Sequence, residues 1–159
     1  MSTLILGVGN MLLKDKGVGI HTVYELKKEI LPRNVKIMDG EAYKPKLLKW
    51  SHQYDHIIII DATLDNNPPG TVQLIRPRYT TNFPLLMSAQ EIRLRDIIEQ
   101  MYLTGYEPNI YLIVVSAASV NKVGTELSPS VASAVPQVVS LVKKIIQRSQ
   151  KVQIVEYYL

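Results

Sequence analysis

Four consecutive isoleucines, Ile57 to Ile60, run straight into Asp61. Neither side of that segment is polar, so as a strand it has no face to give to water. Such a strand is stable only in a sheet covered on both sides, as in the parallel sheets of α/β proteins. Leu4-Ile5-Leu6 is a shorter version of the same thing. It leads into Gly7-Val8-Gly9-Asn10-Met11-Leu12-Leu13-Lys14-Asp15-Lys16-Gly17-Val18-Gly19 and then into an amphipathic stretch from His21 to Ile30. A strand, a glycine-bearing turn and a helix start in that order mark the place where open α/β folds put their chemistry.

Periodicity extends the pattern along the chain. Strands are expected at 4–8, 35–38, 56–61, 71–76 and 110–115. Helices are expected at 17–30, 46–54, 88–102 and 129–147. The first helix should turn Ile20, Val23, Tyr24, Leu26 and Ile30 inward. The third should bury Ile92, Leu94, Ile97, Ile98 and Met101 behind an N-cap at Ser88. Ser128-Pro129 is a capped helix start, and Pro136 should kink the helix that follows. Residues 71–76 alternate like a half-exposed edge strand, antiparallel to the rest. The tail, 150–159, has strand character and is expected as an extra strand or a loose end. Strand–helix alternation gives the fold class: α/β, a single-domain three-layer sandwich over residues 1–159. Its core is a twisted, mainly parallel five-stranded sheet with helices on both faces.

With 159 residues, 47% of them hydrophobic and 20% charged, the chain has enough apolar surface for a core. There is no cysteine, which removes disulfides, thiolate metal sites and Cys nucleophiles. A net charge of +4 is spread along the sequence. The one local cluster, Lys44, Lys46 and Lys49, reads as a solvated helix face, so no nucleic-acid partner is expected. No apolar run approaches the roughly 20 residues that span a bilayer, and no signal-peptide pattern is present. The expectation is a cytoplasmic protein without membrane insertion.

The residues to weigh lie at the carboxyl ends of the strands. Gly7-Val8-Gly9 invites a dinucleotide reading, but the third glycine of that fingerprint falls on Leu12, and no Gly-Lys-Ser/Thr follows for a P-loop. Asp61, beside an apolar wall, needs a partner, a ligand or a proton. Asp39 ends the second strand in the same way, as a ribose ligand or a simple terminator. His21, His52 and His56 share no helical face and read as packed or surface groups.

Taken together, these residues resemble the nickel–iron hydrogenase maturation endopeptidases. The opening motif Gly7 to Gly19 carries the resemblance. Asp39-Gly40, Ile57 to Ala62, Pro69-Gly70-Thr71, Thr104-Gly105 and Glu126-Leu127-Ser128-Pro129-Ser130-Val131 follow in order, so the likeness covers residues 4–148. It implies an enzyme that removes a C-terminal peptide from the large-subunit precursor of a hydrogenase after nickel insertion. It also implies recognition of that nickel by two acids and a histidine, donors suited to a borderline divalent metal. No tightly bound cofactor is expected; the nickel belongs to the substrate.

Carried over by position, the strand-3 acid is Asp61, the first-motif acid falls on Lys16, and the histidine falls on Gln90. The glycine pair after Asp39 is Gly40-Glu41. A protonated lysine has no lone pair to donate. At about 4 Å and an effective dielectric of about 20, it repels a divalent cation by about 8 kcal/mol before solvation and movement reduce that. Lys16 is therefore expected to pair with Asp61 and occupy the metal's place. Glu41, Glu91 or Asp15 are the alternatives as relocated ligands, and Asn10, Asp15, Asp39, Gly40, Glu41 and Glu91 are expected to line the cleft. A processing endopeptidase is the leading expectation. A non-proteolytic scaffold or assembly chaperone that binds the same precursor is the alternative, and a small-molecule binder reusing the cleft is a third reading.

Overall fold

The computed structural model describes residues 2–39, 53–76, 103, 105 and 108–158, with the backbone alone for 149–158. The expected helices at 46–54 and 88–102 lie largely outside these residues. Five strands, β1 (Thr3–Gly7), β2 (Val35–Asp39), β3 (His56–Thr63), β4 (Val72–Ile75) and β5 (Asn109–Ser116), form one sheet in the order β2-β1-β3-β5-β4. The pairs β1–β2, β1–β3 and β3–β5 are parallel, and β4 lies antiparallel against β5 at the edge. The architecture and the reversed edge strand agree with the sequence expectation.

Alternation along the strands sends side chains to two separate cores. Ile5, Ile58, Ile60, Ile113 and Val115 face α1 (Val18–Leu26) and α2 (Pro129–Tyr158), meeting Val23, Leu26, Val131, Val138 and Val142. Leu4, Leu6, Val8, Ile57, Ile59, Ile110, Leu112 and Val114 form the core of the opposite face. The whole of β3 is buried, which is what a strand without a polar face requires.

Three local expectations are corrected. The first helix stops at Leu26 rather than running to residue 30, so Ile30 leaves the helical stripe and is 99% exposed. Tyr24 is 43% exposed rather than turned inward, with the Lys27 ammonium 5.5 Å from its ring centroid. The tail is helix, not strand: α2 continues to Tyr158. Beyond Pro136 the sequence holds no glycine or proline, and extending an existing helix needs only one further residue per hydrogen bond. That outweighs the β-branched and aromatic character of the last residues.

Candidate functional site

Because β1, β3 and β5 are parallel, the loops that follow them gather at one edge of the sheet. The loop after β1 has little regular structure and is held by its neighbours. Val8 N–H donates to Ile60 O (2.9 Å), Lys14 N–H to Gly124 O (2.8 Å), Asp15 N–H to Ser119 O (3.1 Å), and Gly124 N–H to Leu12 O (2.8 Å). The Asn10 side chain accepts from Leu12 N–H at 2.9 Å, which shapes the turn from inside. A short 3-10 turn, Lys14–Gly17, then feeds α1.

Asp15 closes this assembly. Its side chain is fully buried and its two oxygens accept four hydrogen bonds. The donors are Ala118 N–H (2.9 Å), Ser119 N–H (2.9 Å), Ser128 N–H (2.7 Å) and the Ser128 hydroxyl (2.8 Å). Burial pushes the carboxyl upward, but these bonds, with Ser128 foremost, outweigh it and hold the pKa below the ordinary 3.8. Asp15 therefore does not stand open to the cleft as a relocated ligand would. It clamps the first loop to the segment before α2. Ser128, expected as a helix cap, directs its hydroxyl to Asp15. The sequence carries one signal for this clamp, an acid within the glycine-bearing motif loop, but not its donors.

Glycines set the close approaches. Gly9 has φ +138°, and a Cβ there would collide with the Lys16 carbonyl and lie 3.7 Å from Asp61 Oδ1. A Cβ on Gly19 would strike the Ile60 and Val8 carbonyls and come within 2.9 Å of Val8 N. Gly19 thus supplies the tight helix-to-strand packing that the third glycine of a dinucleotide fingerprint supplies, at the end of a longer turn.

Asp61 is 4% exposed on β3. Its parity is that of Ile57 and Ile59, on the face away from α1 and α2. Its Oδ1 accepts from the following Ala62 N–H at 2.8 Å and faces the Gly9 turn. Lys16 comes to this point through its backbone: its carbonyl accepts from Asn10 N–H at 3.0 Å. Among the described residues the ion pairs are Lys28–Glu25 (2.9 Å) and Lys143–Glu29 (3.0 Å). Lys16 and Asp61 form none, so the expected ion pair is not made. The 3-10 turn brings the Lys16 carbonyl against the Gly9 turn.

Asp39 ends β2 at the same edge, in register with Gly7. Gly40, Glu41, Gln90 and Glu91 lie outside the described residues. Among those described, no three His, Asp or Glu side chains converge as a metal site requires. His21 lies away from Asp61, its Nε2 3.1 Å from Thr125 O. His56 is buried at the start of β3, at the opposite edge from the site.

Residues 20–145 match the sequence model of the family described as HycI, hydrogenase maturation protease. The chain belongs to the hydrogenase maturation protease family. Similar members include the hydrogenase 2 maturation protease of Escherichia coli (strain K12), 36% identical over 72% of this chain and 71% of the relative. The hydrogenase expression/formation protein HupD of Rhodobacter capsulatus is 31% identical over 81% of this chain and 63% of the relative. Among solved structures of hydrogenase maturation proteases, the maturating endopeptidase HybD from E. coli superposes with a TM-score of 0.83 at 30% identity, covering 94% of each chain. The NiFe hydrogenase maturation protease HybD from Thermococcus kodakarensis shares the fold, with a TM-score of 0.75 at 24% identity over 92% of this chain and 99% of that one. Family membership places the chain in hydrogenase maturation. Among the described residues no helix is long and apolar enough to cross a membrane.

Proposed function

We propose that this hydrogenase maturation protease acts in the cytoplasm on the large-subunit precursor of a hydrogenase and removes its C-terminal peptide. The observation that carries the reading is the placement of Asp61. Its carboxylate stands two residues before the carboxyl end of the central strand, which continues to Thr63, against a glycine turn whose shape is fixed by the first-motif loop. In that position Asp61 supplies a carboxylate donor suited to a divalent metal carried by the precursor, while Gly9, having no side chain, admits the Lys16 carbonyl beside it.

Lys16 and Gln90 then set this member apart. A cation and a neutral amide in place of an acid and an imidazole leave Asp61 as the one retained ligand, so the free protein holds no nickel of its own. Nickel is met only as part of the precursor, whose own ligands complete its coordination.

The test is incubation of the purified protein with nickel-loaded precursor, followed by mass measurement of the large subunit. The expected result is loss of the C-terminal peptide, abolished by Asp61→Ala. Stable binding without cleavage by the wild-type protein would overturn the endopeptidase reading.

A second expectation concerns the substituted positions. Lys16→Glu combined with Gln90→His removes the repelling charge and adds two donors. Titration calorimetry with nickel should show one site in the double variant and none in the wild type. Absence of binding in the double variant would mean that donor identity alone does not separate this site from a metal-binding one.

A further inference from the structure

The edge that carries Asp61 is bordered by two exposed aliphatic side chains, Leu12 (61% exposed) and Val123 (84%). They are far apart in sequence but adjacent in space. Leu13 and Gly124 form a parallel bridge, with Gly124 N–H donating to Leu12 O and Lys14 N–H to Gly124 O, both at 2.8 Å. The Lys14 stem lies along the same contact, its Cγ 3.3 Å and Cε 3.2 Å from the position of a Cβ on Gly124. Asp15 anchors the base of the rim. The two aliphatic groups are thus held at fixed positions before any partner arrives, which lowers the ordering cost of an interface.

The rim is also cationic. Lys14, Lys16 and Lys122 lie on its two loops, and among the described residues none of them is in an ion pair. Asp15 is buried under its four donors, so Glu126 is the exposed acid of these loops. A surface with two rigid apolar points among cations is complementary to a segment bearing carboxylates beside aliphatic or aromatic groups.

We infer that the Leu12–Val123 rim docks the precursor through an acidic, aliphatic-rich segment separate from the peptide to be cut. This rests on the proposed precursor-processing function. The probe is the purified nickel-loaded large-subunit precursor, with affinity measured by biolayer interferometry at low and high salt.

Leu12→Asp with Val123→Asp should weaken binding about tenfold or more, as expected when apolar contacts at an interface are replaced by charge. Lys14→Glu with Lys122→Glu should weaken it similarly and flatten the salt dependence shown by the wild type. Val123→Ser alone is exposed enough to leave folding unchanged and should still weaken binding measurably. Wild-type binding that all three variants retain in full would overturn the rim while leaving the processing reading intact. No binding by the wild type at micromolar concentration would overturn both.

Discussion

Asp15→Ala should lower the unfolding free energy by about 4 kcal/mol or more. Three backbone N–H groups and one hydroxyl lose their acceptor together. A buried donor left unpaired costs about 1–3 kcal/mol, and bonds to a charged acceptor lie at the upper end. Against a usual total of about 5–15 kcal/mol, that loss is close to limiting. Asp15→Asn keeps one acceptor oxygen but turns an amide N–H₂ toward donors, so its loss should be smaller yet still substantial. Urea unfolding of the three proteins measures both steps, and a midpoint for Asp15→Ala equal to the wild type would refute the clamp.

Acid should reveal the same group. The folded pKa of Asp15 lies below the unfolded 3.8, so its contribution is complete above that value and disappears as pH falls through the folded pKa. His56 acts earlier. Burial lowers its pKa first, Asp55 opposes, and the Arg76 cation lowers it further, leaving the folded value under 6.5. The unfolded chain therefore takes up this proton first, and stability declines once pH drops below about 6.5. Urea midpoints between pH 8 and pH 3 should fall in two stages, with the lower one flattened in Asp15→Asn.

Gly9→Ala should cost about 3 kcal/mol or more and suppress processing as well. At φ +138° a side chain is strained irrespective of space, and the methyl group would overlap the Lys16 carbonyl, a backbone atom fixed by its bond to Asn10. Relief requires moving the loop away from Asp61. Gly105→Ala is the control: φ is +80° there too, but nothing lies within 4 Å of the added carbon. About 1 kcal/mol is expected from conformation alone. Equal thermal shifts for the two variants would show that close packing at Gly9 contributes nothing.

The fold was legible because its decisive signals are local. The isoleucine run admits no solvent face, and the glycine turn between Leu6 and Val18 admits no ordinary helix start. The site was legible only in its membership. Asp61 stands where the motif puts it, whereas the partners of Asp15 lie more than a hundred residues away and leave no periodic trace. The Lys16–Asp61 pairing failed because proximity in the backbone was taken for proximity of charge; the turn brings the Lys16 carbonyl to the Gly9 turn beside Asp61. Gly19 illustrates the reverse. Its packing role depends on a turn length that a fixed three-glycine spacing does not accommodate.

The anchoring of the first loop by residues 118–128 has a consequence for synthesis. The motif is translated well before residues 118–128, yet its Asp15 anchor depends on donors that leave the ribosome more than a hundred residues later. The parallel β1–β3–β5 order imposes the same delay, since non-local pairings close slowly. A nascent chain that ends before Ala118 carries every residue of the motif and none of the four donors that anchor Asp15. The cleft edge is therefore among the last parts of the molecule to form, and a truncated product has no assembled site with which to engage a precursor.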